Sequence, residues 1–87
     1  MYKATFHKGW PEYFDKLENQ IKERTVRKIQ KILECPQKRH LEGGAKYFVD
    51  EIGQYRILYM VFEEGQEVRF FFVGNHKQYE KWYNQFF

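Results

Sequence analysis

The chain has 87 residues, of which 43% are hydrophobic and 21% aromatic, and a formal net charge of +3. This length predicts a single domain over residues 1–87, and the longest apolar run is far shorter than the roughly 20 residues that span a bilayer, which excludes a transmembrane helix. Cys35 is the only cysteine, which excludes a disulfide within the chain. Because the first residues lack the apolar segment of a signal peptide, we expect a cytoplasmic location.

Positive charge is concentrated in residues 22–39. Seven basic and two acidic residues leave a net charge of +5 on this segment. Such a stripe favours anionic partners, either nucleic acid or an acidic segment of a protein, although a solvated helix face has the same composition. The basic residues are Lys22, Arg24, Arg27, Lys28, Lys31, Lys38 and Arg39.

The first half of the chain reads as a strand followed by helix. Residues 2–6 alternate large apolar and polar side chains, which predicts a strand. Pro11 suits the first turn of a helix, because its missing amide hydrogen would have no partner there. Apolar residues at helical spacing predict either one long helix or a helical hairpin within residues 11–35, with the polar triplet 18–20 as the favoured break. The helical segment ends before Pro36, since proline disfavours helical geometry in the preceding residue.

The second half reads as strands followed by a helix. The basic segment 37–44 ends in paired glycines and predicts a loop. Three strands, at 46–52, 55–63 and 67–74, are joined by connections of hairpin length and predict an antiparallel meander. Aromatic residues at helical spacing predict a final helix over 76–87 that packs on the sheet. The order β-α-α-β-β-β-α predicts an α+β domain with an antiparallel sheet and helices mainly on one face.

Cationic and proton-transferring side chains stand where two predicted strands end. Arg56 lies in an alternating strand, so its side chain is on the face opposite those of its two neighbours. The apolar run 68–73 is followed at once by Gly74, His76 and Lys77. These residue types at one end of a sheet suggest chemistry on phosphate. The alternatives are a solvated arginine on the sheet and a histidine whose ring satisfies a backbone group.

Neither a metal nor a phosphate-loop motif is visible. The three histidines and the cysteine, at positions 7, 35, 40 and 76, lack the spacing of metal ligands. The paired glycines at 43–44 have neither the spacing nor the lysine of a phosphate-binding loop. We therefore predict no cofactor and no metal.

Three loose motifs occur in order along the chain: Leu-Glu-Gly-Gly at 41–44, Tyr-Arg-Ile-x-Tyr at 55–59 and Gly-x-His-x-x-Tyr at 74–79. Together with the order of elements, they resemble the RelE/ParE superfamily of toxins from prokaryotic type II toxin–antitoxin modules over nearly the whole chain. The last motif is most similar to the HigB and RelE members, which cut mRNA on the ribosome. ParE members share the fold but poison DNA gyrase.

The resemblance implies a catalytic set of Arg56, His76, Lys77 and one of two tyrosines, Tyr79 or Tyr83. Arg56 sits where RNA-cleaving members keep an arginine that contacts the scissile phosphate, and His76 where members keep a histidine or arginine. Relatives with the best-defined chemistry also place two lysines, two residues apart, on the strand before the arginine. The equivalent positions here are Tyr47 and Val49, with only Lys46 nearby, which moves the chemistry towards His76.

RNA cleavage without a metal uses the 2′-hydroxyl of the substrate, which attacks the adjacent phosphorus. An unperturbed histidine titrates near pH ~6.5 and exchanges protons at cellular pH, and arginine presents a charged planar fork that matches phosphate oxygens. We expect His76 to be the general base or acid and Arg56 to bind the transition state. Lys77 and Lys46 would add positive charge, and one C-terminal tyrosine would assist.

The expected function is therefore that of a ribosome-dependent mRNA endonuclease toxin with a cognate antitoxin. The alternatives are a ParE-like gyrase inhibitor and an inactive homologue that acts as a binding partner. The residues expected to bind RNA or the ribosome are Lys22, Arg24, Arg27, Lys28, Lys31, Lys38, Arg39, His40 and Lys46.

Overall fold

The computed structural model describes residues 1–35, 39–40 and 47–86. The elements in chain order are β1 (Lys3–Phe6), α1 (Trp10–Asp15), α2 (Asn19–Glu34), β2 (Arg39–His40), β3 (Tyr47–Ile52), β4 (Tyr55–Phe62), β5 (Glu67–Asn75) and α3 (His76–Phe86). The predicted α+β class and order of elements are confirmed, with the two-residue strand β2 as an addition inside the predicted loop. Within the described ranges, no helix is long and apolar enough to span a membrane.

The helical segment folds as two helices. α1 ends at Asp15 and α2 begins at Asn19, so the break falls at residues 16–18, slightly before the predicted triplet. Pro11 occupies the first turn of α1, as predicted. α2 ends at Glu34, directly before the Cys35-Pro36 pair.

The sheet has the strand order β1-β5-β4-β3-β2. β1 runs parallel to β5, and the other neighbouring strands are antiparallel, which confirms the meander. A parallel first strand is possible because α1 and α2 carry the chain back across the sheet before the meander begins. β1 therefore lies beside the last strand, whereas β2 and β3 lie at the opposite side.

Two apolar clusters cover the opposite faces of this sheet. The first packs residues of α1 and α2, such as Trp10 and Ile32, against strand residues that include Ile57. The second packs Trp82 of α3 against Val49, Leu58 and Phe72. Because Ile57 and Leu58 are neighbours in β4, their side chains point to opposite faces. The expectation of helices mainly on one face therefore describes α1 and α2, and α3 covers the second face.

The end of the sheet where β5 passes into α3 also carries the turn between β3 and β4. Tyr55 in β4 is paired with Asn75, the last residue of β5, and His76 starts α3 with no intervening loop. The turn Gly53-Gln54 has φ of +59° at Gly53, a conformation that glycine adopts without strain and that suits the first position of a type II′ turn. Strand pairing thus brings one turn and one helix start to the same place.

Candidate active site

Three of the predicted catalytic side chains line one cleft at this end of the sheet. The cleft has a volume of about 600 Å³ and contains Arg56, His76 and Lys77 in its wall. The other lining residues are Glu51, Gly53, Gln54, Tyr55 and Asn75. Arg56 reaches the cleft from β4, whereas His76 and Lys77 form the first turn of α3. The strand pairing described above brings these two parts of the sequence together.

The ring of Tyr79 packs against the guanidinium group of Arg56. The Arg56 guanidinium carbon lies 5.2 Å from the centre of the Tyr79 ring, a cation–π contact worth roughly 0.5–2 kcal/mol depending on its exposure. Burial raises the pKa of the Tyr79 hydroxyl above its ordinary value, although the Arg56 charge acts in the opposite direction. The hydroxyl therefore stays protonated at neutral pH. The guanidinium covers the face of the Tyr79 ring on which an RNA base would stack. In this arrangement Tyr79 therefore positions Arg56 and does not stack on a base with that face.

Tyr83 lies further along α3. Its ring centre is 6.0 Å from that of Tyr79, and neither tyrosine is among the residues that line the cleft. Of the five residues that the prediction offered for catalysis, three line the cleft, Tyr79 contacts one of those three, Arg56, and Tyr83 contacts Tyr79. Helical spacing alone does not distinguish the two tyrosines, because residues four apart share a helix face.

His76 has a carboxylate one helical turn away. Its Nε2 lies 2.9 Å from Oε1 of Glu80, and the two side chains are 58% and 60% exposed. An ion pair this exposed contributes little to stability. Its consequence is geometric, because the contact restricts the orientation of the imidazole ring at the mouth of the cleft.

Reciprocal hydrogen bonds fix the start of α3. The Gln78 amide donates to Asn75 Oδ1 at 2.9 Å, and the Asn75 amide donates to Gln78 Oε1 at 2.9 Å. This is a capping box, which satisfies two amide groups that the first turn of a helix leaves unpaired. It therefore holds His76 and Lys77, the two residues between its partners, in helical geometry beside Arg56.

We expect Asn75→Ala to lower the free energy of unfolding by about 1 kcal/mol, because alanine accepts no hydrogen bond at an N-cap. Asn75→Asp keeps the acceptor and is expected to retain most of the stability of the parent. Urea denaturation of the three proteins measures the difference. An Asn75→Ala variant as stable as the parent would show that the capping box does not stabilise α3.

A second cleft, of about 290 Å³, adjoins the first and is basic. It is lined by Arg24, Arg27, Lys28 and Lys31 of α2 together with Glu51, Ile52 and Gly53. The two clefts share Glu51 and Gly53. Lys28 also lies 3.7 Å from Asp50, and Lys22 lies over the ring of Phe14 at 5.7 Å. Four of the predicted RNA-binding side chains thus gather beside the candidate active site.

Less can be said of four other predicted RNA-binding residues. Lys38 and Lys46 lie outside the described residues. Arg39 and His40 form β2, where only the backbone is described.

Comparison with known proteins gives matches among solved structures only: no protein-family model and no curated protein sequence matches the chain. The chain is similar to a chain of the intact E. coli RelBE toxin–antitoxin complex, with a TM-score of 0.78 and 24% identity over 86% of this chain and 96% of that one. For the isolated E. coli RelE toxin the TM-score is 0.77, with 21% identity and full coverage of both chains. A chain of the archaeal RelE–RelB complex from Pyrococcus horikoshii OT3 has a TM-score of 0.69, with 18% identity over 85% of this chain and 93% of that one.

The chain has the RelE fold. At identities this low, the similarity establishes the architecture and leaves the activity to be argued from the side chains of this chain. The fold that the sequence motifs implied is thereby confirmed.

Within this RelE fold, the two positions implied for lysines hold packed apolar residues. The Tyr47 ring centre lies 5.2 Å from that of Phe71 and 5.7 Å from that of Trp82, and Val49 is 7% exposed. Both residues belong to the contacts beneath α3. Neither position therefore supplies a positive charge to the cleft.

Sequence reasoning missed Glu51 as a cleft residue. The signal was present, because a two-residue turn at Gly53-Gln54 requires Ile52 to pair with Tyr55 and Glu51 to pair with Arg56. Asn75 and Gln78 were missed as well. Their separation by three residues at a strand–helix junction is the sequence signature of a capping box.

Proposed function

We propose that this chain is the toxin of a type II toxin–antitoxin module and acts as an endonuclease on mRNA bound to the ribosome. The observation that carries the proposal is that Arg56, His76 and Lys77 all line the same cleft. The RelE fold supports it, since the similar structures include the E. coli RelE toxin. The sequence motifs around Arg56 and His76 point to the mRNA-cleaving members rather than to the gyrase inhibitors.

The chemistry proposed for the cleft is transesterification without a metal. The 2′-oxygen of the substrate bonds to the adjacent phosphorus and the bond from phosphorus to the 5′-oxygen breaks. Arg56 binds the non-bridging oxygens, whose negative charge grows in the transition state, and Lys77 adds a second positive charge. His76 transfers a proton to or from one of the two reacting oxygens.

The basic face of α2 would hold the ribosome. Arginine and lysine side chains bind RNA largely by neutralising phosphates, and the accompanying release of counterions makes the affinity depend on salt. Arg24 and Arg27 are exposed side chains of this face. Selection of the cut site would then come from the codon in the decoding centre.

We expect the double variant Arg24→Gln/Arg27→Gln to bind ribosomes more weakly than the parent. The slope of log affinity against log salt concentration should become shallower by about 1 for each phosphate that the variant no longer neutralises. The matched control is Lys3→Gln/Lys8→Gln, which removes the same charge from residues that line neither cleft. Binding measured across a salt series tests this, and equal slopes for both double variants would contradict a specific role for α2.

Primer extension on a reporter mRNA in a reconstituted translation reaction tests the proposed activity. We expect the parent protein to cut within the codon in the decoding site. The double variant Arg56→Ala/His76→Ala should leave the message intact. Its thermal unfolding should show that it is still folded at the temperature of the assay. An intact message and normal translation with the parent protein would overturn the proposal.

A second candidate function has one observation in its favour. The positions where the resemblance implied lysines hold Tyr47 and Val49, which pack in the second apolar cluster. This fits an inactive homologue that acts only by binding. The same primer-extension experiment separates the two candidates. Absence of cleavage by a protein that still binds ribosomes or an antitoxin would favour the inactive homologue.

An antitoxin is the partner proposed for either case. Similar structures include complexes of RelE-type toxins with RelB-type antitoxins, from E. coli and from Pyrococcus horikoshii OT3. We expect a small protein encoded next to this chain to bind it and to relieve the growth arrest caused by its expression. If no neighbouring gene product relieves the arrest, the toxin–antitoxin assignment fails.

A further inference from the structure

Glu51 is the one acidic side chain among the described residues that line the two clefts. All the charged or titratable side chains around it in those linings are basic, apart from the hydroxyl of Tyr55. A carboxylate at this position opposes the binding of an anionic RNA backbone, because like charges repel. Its place beside Arg56 therefore needs an explanation other than RNA affinity.

Glu51, Arg56 and Gly74 form a row across three neighbouring strands. Glu51 is paired with Arg56, and Arg56 is paired with Gly74. Adjacent strands are about 4.8 Å apart, so the Glu51 and Gly74 backbones are separated by roughly 10 Å, with Arg56 between them. Each of the three lies two residues from a member of the second apolar cluster, so all three share the face that α3 covers.

Gly74 lets α3 begin close to this row. A Cβ atom at Gly74 would lie 2.8 Å from Gln78 Oε1 and 2.8 Å from Phe72 Cζ, so these two side chains pack directly on the glycine. The first turn of α3, where His76 begins, therefore lies close to the strand end beside Arg56. Glu51 on β3, Arg56 on β4 and His76 at the start of α3 all line the cleft, and strand pairing places β4 between β3 and the strand that leads into α3.

This arrangement fits an in-line transesterification. The attacking 2′-oxygen and the departing 5′-oxygen stand on opposite sides of the phosphorus, so the proton acceptor and the proton donor must also be on opposite sides. Arg56 binds the non-bridging oxygens from the centre. An ionised carboxylate only accepts protons, whereas a protonated imidazole donates one.

We propose that Glu51 is a catalytic residue, the general base of the reaction, and that His76 is the general acid. Glu51 takes the 2′-hydroxyl proton as the 2′-oxygen bonds to phosphorus. The bond from phosphorus to the 5′-oxygen breaks, and His76 gives its proton to that oxygen. The products are a 2′,3′-cyclic phosphate and a 5′-hydroxyl end. This assignment rests on the proposed endonuclease activity and supplies the base that a lysine would otherwise provide.

A substrate with sulfur in place of the scissile 5′-oxygen tests the assignment, because a thiolate leaves without receiving a proton. The mRNA carries this single bridging phosphorothiolate in the decoding-site codon of a stalled ribosome complex, and cleavage is followed in a single turnover. On the ordinary oxygen substrate, we expect Glu51→Gln to be about 10²-fold slower than the parent and His76→Ala to be slower as well. On the sulfur substrate, we expect His76→Ala to return to within about tenfold of the parent, whereas Glu51→Gln stays slow.

The control is Glu64→Gln, which makes the same change on an exposed residue of the turn between β4 and β5. Glutamine keeps the shape of glutamate and a hydrogen-bond acceptor. If Glu51 only oriented Arg56, the Glu51→Gln variant would therefore keep most of the parent rate. We also expect the pH–rate profile of Glu51→Gln to lose its limb at acid pH. Glu51 is exposed, and thermal unfolding of the variant checks that it still folds.

The outcomes separate this assignment from the activity on which it rests. A parent protein that does not cut ribosome-bound mRNA removes the proposed function. If the parent cuts and Glu51→Gln cuts at the parent rate, or keeps the acid limb of the profile, the base assignment is wrong while the endonuclease stands. Rescue of Glu51→Gln by the sulfur substrate would overturn the assignment too, since it would place Glu51 on the side of the leaving group.

Discussion

We expect Arg56→Ala to cleave ribosome-bound mRNA about 10²–10³-fold more slowly than the parent, the range seen when one donor to a developing negative charge is removed. The Arg56 side chain lines the cleft, and it is held there by the Tyr79 ring and by pairing of its strand with β3 and β5. Arg56→Lys keeps the charge but loses the planar fork, so its rate should lie between the two. Single-turnover cleavage rates measure the series.

Arg69 offers a matched control for Arg56. It also lies over an aromatic ring, with its guanidinium carbon 4.9 Å from the centre of Phe62, and it pairs with Glu67 at 3.0 Å. It lines neither cleft. Arg69→Ala is therefore expected to lose stability while keeping the cleavage rate per folded molecule. An Arg56→Ala variant that cuts as fast per folded molecule as Arg69→Ala would show that Arg56 has no part in catalysis.

His76→Ala is expected to lower the cleavage rate by about 10²–10⁴-fold, the usual contribution of a positioned proton donor or acceptor. Its side chain is exposed at the start of α3 and makes its ion-pair contact only with Glu80 among the described residues, so we expect the variant to fold normally. If His76 is the acid, the variant should also lose the limb of the pH–rate profile that falls towards alkaline pH. Rates measured between pH 5 and 9 test both expectations.

The control for this variant is His7→Ala. His7 is exposed, packs its ring 5.1 Å from that of Phe71 and accepts a hydrogen bond from the Gly9 amide at 3.2 Å. It lines neither cleft, and its removal should leave the rate unchanged. A His76→Ala variant that cuts as fast as His7→Ala would remove His76 from the mechanism and leave Glu51 and Lys77 as the remaining candidates.

Local pattern was sufficient for most elements of the fold. The strand at 55–63 was predicted from alternation and is observed as Tyr55–Phe62, and the final helix was predicted from aromatic spacing and is observed as His76–Phe86. These elements follow from periodicity, which each segment carries in itself. The break between α1 and α2 was less well predicted, because several polar residues in succession offer equivalent places for a helix to stop.

The site residues that could be predicted from the sequence were those whose side-chain chemistry is distinctive. Arg56 and His76 stand out as isolated functional groups at strand ends, and the motifs around them added a family resemblance. Glu51 did not stand out, since an exposed glutamate is by itself no sign of catalysis. Its interest arises only from its pairing with Arg56, and pairing between strands depends on a turn whose geometry must be known. Tyr79 and Tyr83 could not be ranked, because both lie on the same side of α3.

The sequence by itself determined the α+β class, the order of the elements, the basic character of α2 and the chemical groups available for catalysis, because composition and periodicity are local properties. Only the tertiary structure decided which of those groups meet. The parallel pairing of β1 with β5, the covering of the second face by α3, and the row from Glu51 through Arg56 to Gly74 all join segments distant along the chain. Such contacts depend on how whole elements pack to bury apolar surface, which no short stretch of sequence specifies.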